Sequence, residues 1–241
     1  MHVAQDLSAK LAIEVLSDAD AVATRAAELL AGYLEEDAER GSATVALSGG
    51  RTPQSVFERL AALELPWDRI AVFQVDERIA PRHHPDRNRT HAEAALAAPI
   101  EGHPQAFRWM PVEEPNLDAA AHRYAELLRA AAGSPPVLGT VHLGLGADGH
   151  TASLVPGSRL VTERKRDVVV TEPYQGRRRM TLTLPVLNRA RRILWIVTGA
   201  DKRTALAGLI ASDDRVVGSR VRRDGALVLA DAAAAAHVAI R

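Results

Sequence analysis

The chain has 241 residues, of which 47% are hydrophobic, and its 30 basic and 30 acidic side chains give a formal net charge of zero. This composition suffices for a buried core and excludes a global positive field that would attract nucleic acid or a membrane surface. The absence of cysteine excludes disulfides, thiolate nucleophiles and cysteine-bound metals, and it indicates a cytoplasmic location. The opening residues MHVAQDLSAK contain no apolar stretch, so we expect neither a signal peptide nor a membrane anchor.

Short apolar or β-branched runs recur along the chain, and each predicts a strand. They are LAIEVL at 11, TVALS at 44, IAVFQV at 70, TVHLGLG at 140, DVVVT at 167, MTLTL at 180 and ILWIVTG at 193. Helical patterns lie between many of them, at 18–39, 53–63, 88–97, 116–132 and 201–211. This alternation predicts an α/β fold that forms one compact unit over residues 1–241.

Two kinds of strand differ in their pattern. IAVFQV and ILWIVTG are apolar at nearly every position, which is typical of parallel strands covered by helices on both faces. MTLTLP alternates apolar and polar residues, so we expect it at a sheet edge. The pattern as a whole predicts a mainly parallel sheet with helices on both faces.

A first glycine-rich turn lies in TVALSGGRTPQSVFERL, between a strand and a helix for which Thr52 is the expected N-cap and Pro53 lies in the first turn. Gly49 and Gly50 permit close approach of a ligand, and the helix N-terminus favours negative charge, so the turn predicts a phosphate or carboxylate site. No Walker pattern follows. Two alternatives stay open: Ser48 as a nucleophile elbow, because ALSGG misses that pattern by one residue, and an ordinary turn without a ligand.

A second glycine-rich stretch, LGLGADGHTAS at 143–153, matches the dinucleotide fingerprint G-x-G-x-x-G, and Asp167 lies near the spacing of a ribose-binding acid. Two features oppose that interpretation. Pro156 and Gly157 would interrupt the required helix, and Asp148 would put a negative charge where a pyrophosphate should bind.

Asp148 and His150 remain as a pair on this glycine-rich loop, at the carboxyl end of a predicted strand. Open α/β sheets bind ligands at that end. Histidine is the side chain whose ordinary pKa lies nearest neutrality, and a neighbouring carboxylate would orient it. We expect a general base here. The alternative is a loop histidine without a chemical task.

The segment FQVDERIAPRHHPDRN forms a third cluster, in which a buried strand delivers Asp76, Glu77 and Arg78 to a loop and Asn88 opens a helix. A solvated charge run is the alternative. HHPD suggests a metal, but adjacent histidines point apart on an extended chain and no third ligand has a recognisable spacing, so we expect no metal site.

Two further segments carry positive charge. In ILWIVTGADKRTAL, Gly199 follows a strand and Lys202 lies at the start of a helix, where a cation is unfavourable unless an anion binds between them. YQGRRRMTLTLP contains three arginines, including Arg179, most of which we expect to face solvent.

The segments ALSGGRTP, VDER, HPDRN, LGLGADGHTASLVPG, RMTLTLP and VTGADK follow one another in an order and spacing that resemble the 6-phosphogluconolactonase family, over about positions 44 to 202. The combination of GADGHTASL with the upstream glycine turn and DER is specific, whereas each segment alone is weak. The resemblance implies a Rossmann-like open α/β sheet, shared with glucosamine-6-phosphate deaminases. It also implies hydrolysis of 6-phospho-D-glucono-1,5-lactone to 6-phospho-D-gluconate in the oxidative pentose phosphate pathway, without an organic cofactor.

The resemblance also implies roles for matching residues. The phosphate binds the backbone amides of Ser48, Gly49 and Gly50, with Lys202 nearby. The sugar acid or its phosphate is surrounded by Arg78 and Arg179.

In the chemistry that the resemblance implies, His150 takes a proton from the attacking water and Asp148 steadies the imidazolium. A cation such as Arg78 or Lys202 supports the oxyanion. The partner is a small-molecule lactone, and the oligomeric state stays open between a monomer and a weak homodimer.

Two other functions are alternatives. Glucosamine-6-phosphate deaminases resemble this chain at DGH but place a carboxylate a few residues beyond the histidine, where Val155 stands here. A non-catalytic sugar-phosphate sensor would carry a DNA-binding helix-turn-helix, for which we see no room before the first predicted strand near Leu11.

The chain departs from the family pattern at three positions. Arg51 replaces a small polar residue, Arg87 replaces a serine and Val155 replaces a phenylalanine. The two arginines add positive charge near the expected phosphate site, and they either tighten binding or face water.

Overall fold

A computed structural model describes residues 11–238 of the chain, apart from the side chain of Arg51. These residues alternate between strands and helices. The strands are β1 (Ala12–Leu16), β2 (Ala43–Leu47), β3 (Ile70–Gln74), β4 (Asp76–Arg78), β5 (Phe107–Arg108), β6 (Thr140–Leu143), β7 (Val168–Val170), β8 (Arg179–Leu182), β9 (Arg192–Val197) and β10 (Ala226–Asp231). The α-helices are α1 (Ala19–Glu39), α2 (Arg51–Ala61), α3 (Asn88–Ala95), α4 (Ala97–Gly102), α5 (Leu117–Ala132), α6 (Leu184–Arg189), α7 (Arg203–Ala211) and α8 (Ala232–Ala235). None of these helices is long and apolar enough to cross a bilayer.

Seven of the described strands form one sheet in the order β1-β10-β9-β6-β2-β3-β5, and every neighbouring pair in it is parallel. The chain passes from β2 to β3 on one side and from β6 to β9 on the other, so the direction of winding reverses between β2 and β6. At such a reversal the loops separate and leave a crevice at the carboxyl ends of the strands, where ligands bind. The α/β fold with a mainly parallel sheet is therefore confirmed.

Helices cover both faces of this sheet. On one face, α1, α2 and α3 bury a cluster that includes Leu30, Phe57 and Leu194. On the other face, α5, α6 and α7 bury a cluster that includes Tyr124 and Trp195. The neighbours Leu194 and Trp195 belong to different clusters because successive side chains of a strand point to opposite faces. This double cover explains why strands such as β9 are apolar at nearly every position.

A second, antiparallel sheet has the strand order β4-β8-β7. The prediction that MTLTLP lies at a sheet edge is wrong, because β8 is the central strand here. Its polar residue Thr181 is buried: the hydroxyl donates to the carbonyl of Leu182 at 3.0 Å and accepts from the amide of Ser153 at 3.2 Å. Both faces of β8 are therefore packed against the protein. Its apolar and polar residues alternate because the polar side chain on one face is hydrogen-bonded inside the protein.

The helix α2 begins at Arg51, so the prediction that Thr52 is its N-cap is wrong. Gly50 occupies the N-cap position with a φ of 132°, a conformation that favours glycine. The hydroxyl of Thr52 bonds instead to the hydroxyl of Thr198 at 2.6 Å. Pro53 lies in the first turn as predicted, where a missing N–H leaves no helical carbonyl unpaired.

Buried Glu77 holds β4 against the start of α3. The residues Asp76–Arg78 form this strand instead of the loop that the sequence predicts. The Glu77 carboxylate accepts hydrogen bonds from the amides of Asn88 at 2.8 Å and Arg89 at 2.9 Å, the first two residues of α3. Because these amides have no acceptor within the helix, and because a helix N-terminus favours negative charge, Glu77 caps α3 from a separate strand.

Arg87 lies inside the protein, with only 1% of its surface exposed. Its Nε lies 3.2 Å from Glu77 Oε2, and its Nη1 donates to Glu113 Oε1 at 2.7 Å and to the carbonyl of Ala80 at 3.0 Å. Arg87 therefore does not face water. It compensates the buried charge that caps α3.

We predict that Glu77→Gln lowers the free energy of unfolding by about 3 kcal/mol, because it leaves a buried guanidinium without its buried counter-charge. The matched control is Glu113→Gln, which removes the other, 41% exposed partner of Arg87 and should cost at most about 1 kcal/mol. Urea unfolding of both variants measures the two losses. Equal losses of unfolding free energy in the two variants would show that the buried ion pair of Glu77 stabilises the protein no more than the exposed one of Glu113.

Candidate active site

Three loops meet at the carboxyl edge of the large sheet, where they surround a cleft of about 700 Å³. They follow β2, β6 and β9, which are neighbours in the sheet. The cleft is lined by Gly49, Gly50 and Thr52 after β2, by Gly144 and Leu145 after β6, and by Thr198, Gly199 and Lys202 after β9. The two glycine-rich turns identified in the sequence therefore border one cavity at the reversal point of the fold.

The first loop is fixed to the neighbouring strand by His142. The amide of Ser48 donates to His142 Nδ1 at 3.3 Å, and the Ser48 hydroxyl donates to the carbonyl of His142 at 3.0 Å. Both donors of Ser48 are therefore used within the protein. This opposes the interpretation of Ser48 as a nucleophile and leaves two amides for an anion, those of Gly49 and Gly50, which donate to no acceptor among the described residues.

The His142 ring is completely buried and lies nearly perpendicular to the ring of Phe57, at an interplanar angle of 87°. Burial lowers the pKa of His142 from 6.5 to about 3, so the imidazole is neutral at physiological pH. Since Nδ1 accepts a hydrogen bond from Ser48, the proton lies on Nε2. A neutral ring is what allows His142 to accept that bond and hold the loop.

Asp76 connects the first two loops through the small sheet. Its Oδ2 accepts from the Ser153 hydroxyl on the second loop at 2.5 Å, and its Oδ1 accepts from the side-chain amide of Asn88 at 3.2 Å. The amide group of Asn88 packs directly on Gly49, and any side chain at position 49 would overlap it. Glycine is required there because of this close approach.

The second loop places Asp148 and His150 in direct contact. Asp148 Oδ1 lies 2.6 Å from His150 Nδ1 and also accepts the backbone amide of His150 at 3.2 Å. Gly146 lies against both side chains, and a Cβ there would overlap the imidazole. The structure thus brings the predicted pair together, and the glycine spacing of the loop makes room for it.

The electrostatics of this pair define which imidazole nitrogen is free. Burial raises the pKa of Asp148, but hydrogen bonds from His150 and Tyr174 outweigh that effect and hold it below the usual 3.8. The carboxylate is therefore ionised at neutral pH. Because a carboxylate only accepts, Nδ1 of His150 carries a proton, and in the neutral imidazole the lone pair therefore lies on Nε2. Nε2 forms no hydrogen bond with any of the described residues.

Arg78 and Arg179 are direct partners across the β4–β8 pair. Neither forms a salt bridge with a described residue, although Arg179 is 4% exposed. Burial lowers the pKa of Arg179, and the charge of Arg78 lowers it further, while Asp76 opposes both. Like charges directly opposite one another are destabilising, so this pair forms a locally positive site that an anion would stabilise.

Lys202 and the third loop complete the cleft. Lys202 precedes α7 and pairs with Asp201 at 3.0 Å, with 25% of its side chain exposed. Asp231 holds this loop by accepting the amide of Gly199 at 3.0 Å while it caps α8 through the amide of Ala234 at 2.7 Å. Lys202 thus lines the same cleft as Gly49.

Sequence reasoning missed Tyr174, whose hydroxyl donates to Asp148 Oδ2 at 2.9 Å. Its ring meets the imidazole of His150 edge-on, and Arg179 lies over its face. The only available signal was the Gln175-Gly176 pair, which is typical of a tight turn that would bring neighbouring residues back toward β8. The expectation that most of the three arginines after it face solvent is wrong, because only Arg178 is exposed, whereas Arg177 is half-buried and Arg179 is buried.

Other candidate residues have structural partners. Asp167 pairs with Arg129 at 2.8 Å and Arg189 at 2.6 Å, which opposes a role in ribose binding. The ring of His84 accepts from the amide of Asp86 at 3.1 Å. No group of three or more His, Asp or Glu side chains among the described residues is arranged to hold a metal ion.

The family model described as glucosamine-6-phosphate isomerases/6-phosphogluconolactonase matches residues 17–229, and the chain belongs to this family. The 6-phosphogluconolactonase of Nostoc sp. is 37% identical over 240 residues, which cover 96% of this chain and 100% of that protein. A crystal structure of 6-phosphogluconolactonase from Thermotoga maritima has a TM-score of 0.81 at 26% identity, over 91% of this chain and 98% of that one. A monomeric glucosamine-6-phosphate deaminase shares the fold, with a TM-score of 0.75 at 18% identity over 94% of this chain and 100% of its own.

These similarities confirm the family resemblance drawn from the motifs and the Rossmann-like fold that it implies. They extend over nearly the whole chain and beyond the range of positions 44 to 202 that carries the motifs.

We predict that acid destabilises the protein partly through His142. Its pKa is about 3 in the folded protein and about 6.5 in the unfolded chain, so between these values the unfolded chain binds the extra proton. Stability from this group is complete above pH 6.5 and is lost as pH falls toward 3. His142→Asn keeps an acceptor for Ser48 but does not titrate. Urea unfolding at pH 7 and pH 5 should show a loss about 2 kcal/mol larger for the wild type, and equal losses would contradict the assignment.

Proposed function

We propose that this chain hydrolyses 6-phospho-D-glucono-1,5-lactone to 6-phospho-D-gluconate, the second step of the oxidative pentose phosphate pathway. The observation that carries the proposal is the Asp148–His150 pair, with its free Nε2, on the loop that borders the glycine-rich cleft. The 6-phosphogluconolactonase named in Nostoc sp. supports it, because its similarity spans nearly all of both chains. We also propose that residues 1–241 act as one unit, without a cofactor.

In the proposed reaction, His150 Nε2 takes a proton from water as the water oxygen attacks the lactone carbonyl carbon. Asp148 stabilises the imidazolium through its bond to Nδ1. The tetrahedral intermediate then breaks the bond between the carbonyl carbon and the ring oxygen, and the imidazolium returns its proton to that oxygen. The product is a hydroxy acid, which ionises to the carboxylate at neutral pH.

The proposed reaction involves two anionic groups, for which we assign two separate sets of residues. The lactone carries a phosphate, for which we assign the amides of Gly49 and Gly50 with Lys202. A second negative charge develops on the carbonyl oxygen and persists as the product carboxylate. We assign this charge to Arg78 and Arg179, because a preorganised cation that meets charge only as it develops lowers the barrier.

The deaminase alternative is opposed by Val155. The glucosamine-6-phosphate deaminases that resemble this chain at DGH carry a carboxylate at that position. An apolar side chain such as valine cannot transfer a proton. The half-buried Val155 offers only its backbone carbonyl, which accepts from the amide of Ser158 at 3.1 Å. A purely sensory role is opposed by the free base, since binding alone does not require an oriented Nε2.

We predict that the wild type hydrolyses freshly generated 6-phosphogluconolactone and releases no ammonia from glucosamine 6-phosphate. A pH-stat assay, corrected for spontaneous lactone hydrolysis, measures the first activity, and an ammonia assay measures the second. Activity on the amino sugar alone would establish the deaminase function. Binding of both compounds without turnover would establish a sensor.

We predict that His150→Ala lowers kcat for the lactone by about 10²- to 10⁴-fold, because it removes acid–base catalysis. Binding of 6-phosphogluconate, measured by calorimetry, should change little. The control is His122→Ala, on the exposed surface of α5, which should leave kcat unchanged. Wild-type turnover in His150→Ala would refute the role of the imidazole.

We predict that Lys202→Gln raises KM for the lactone about tenfold and lowers kcat much less, because an interaction with a phosphate distant from the reacting bond is equal in ground and transition states. Lys165→Gln on the exposed surface is the control. A fall in kcat with unchanged KM would instead place Lys202 at the oxyanion.

A further inference from the structure

A tight hairpin brings Tyr174 to the catalytic pair. Between β7 and β8, the amide of Tyr174 donates to the carbonyl of Arg177 at 2.9 Å, and the reverse bond measures 3.3 Å. The two residues between them have positive φ, 50° at Gln175 and 79° at Gly176, as in a type I′ turn. Such a two-residue turn has little freedom, so it presents Tyr174 in one orientation.

The hydroxyl of Tyr174 uses the carboxylate oxygen that His150 leaves free. Asp148 Oδ1 contacts the imidazole at 2.6 Å, while Oδ2 accepts from the tyrosine at 2.9 Å. With both oxygens bonded to different partners, the carboxylate plane cannot rotate without breaking one bond. Burial raises the pKa of Tyr174, and its bond to Asp148 raises it further, so the hydroxyl remains a donor at neutral pH.

The aromatic ring of Tyr174 contacts the His150 imidazole and the Arg179 guanidinium. The imidazole of His150 meets it edge-on, with ring centres 5.5 Å apart at 70°. The guanidinium of Arg179 lies 5.0 Å from the ring centre, in cation–π geometry. One side chain therefore contacts the base, the carboxylate that orients it and one arginine of the positive site.

Neighbouring residues hold the turn in place. Gln175 donates to the Tyr174 hydroxyl at 3.3 Å and accepts from Arg179 Nη2 at 3.2 Å. On the far side of the turn, Arg177 donates to Asp86 Oδ2 at 2.5 Å. The hairpin is thus tied to the site at one end and to the loop before α3 at the other.

We propose that Tyr174 is a positioning residue that acts through Asp148, fixing the carboxylate so that it holds the His150 imidazole with Nε2 free for catalysis. The kinetic test of this role rests on the proposed lactonase function, because it measures kcat for the lactone. The NMR test does not require that activity. Tyr174 need not touch the substrate. Its hydroxyl contributes orientation, and its ring contributes packing for the imidazole and the guanidinium.

The hydroxyl is tested by Tyr174→Phe, which keeps the ring. We expect kcat for the lactone to fall about tenfold with little change in KM, because hydrogen bonds to charged groups are among the stronger ones in proteins. Tyr174→Leu also removes the ring beneath Arg179, and it should lower kcat further and raise KM. Loss of kcat in Tyr174→Leu but not in Tyr174→Phe would overturn the role of the hydroxyl.

The matched control is Tyr33→Phe. Tyr33 is also half-buried, and the guanidinium of Arg192 lies 4.8 Å from its ring centre. Arg192 is the first residue of β9, so it lies at the opposite end of the strands from the cleft. Tyr33→Phe should leave kcat unchanged. Equal losses in the two variants would show a general effect on the fold and overturn the proposal, and thermal unfolding of both gives the same comparison without substrate.

NMR measurements test the positioning role of Tyr174 independently of the proposed lactonase function. Because the bond from Tyr174 lowers the pKa of Asp148, Tyr174→Phe should raise it, measured by ¹³C NMR titration of the Asp148 carboxyl. The downfield NMR signal of the His150 Nδ1 proton should weaken in the same variant. If the wild type lacks lactonase activity, the proposed function fails while these spectra still test the positioning. Unchanged spectra together with unchanged kcat would overturn the positioning role.

Discussion

The geometry of the cleft depends on the buried carboxylate of Asp76. It bonds to Ser153 on the loop after β6 and to Asn88 at the start of α3, and Asn88 packs on Gly49 in the loop after β2. One desolvated carboxylate therefore fixes both glycine-rich loops relative to the small sheet. Its charge also acts on Arg179, which has no salt bridge of its own among the described residues. Partners of a buried charge are costly to displace, so the loops keep their spacing.

Adjacent charged residues on β4 serve different purposes because successive side chains of a strand face opposite sides. Glu77 faces α3, where it caps the helix and pairs with Arg87. Asp76 and Arg78 share the other face, and they meet the second loop and Arg179 respectively. The same short strand thus contributes a buried structural ion pair and part of a positive site. The three residues of the DER segment therefore both stabilise the fold and contribute charge to the positive site.

The Asp148–His150 pair was recognisable in the sequence, whereas the residues that hold it were not. Asp148 and His150 are two residues apart on a loop whose glycines indicate close approach. Tyr174 lies 26 residues from Asp148, and His142 lies 94 residues from the Ser48 that it holds. No local pattern relates residues at such separations. The family resemblance implied an anion-binding amide at Ser48, but the neighbouring strand uses both donors of this residue.

The sequence by itself predicted seven of the ten described strands, the glycine-rich turns and the Asp148–His150 pair, because periodicity and turn chemistry act over a few residues. It did not predict β4, β5 or β10. It predicted the apolar run of β9 as a buried strand and placed Asn88 at the start of a helix. Only the tertiary structure decided that β8 is a central strand, that Gly50 caps α2 and that Tyr174 contacts the Asp148–His150 pair. Strand order and hydrogen-bond partners are set by contacts between segments distant in the chain, and these contacts exist only once the sheets have assembled.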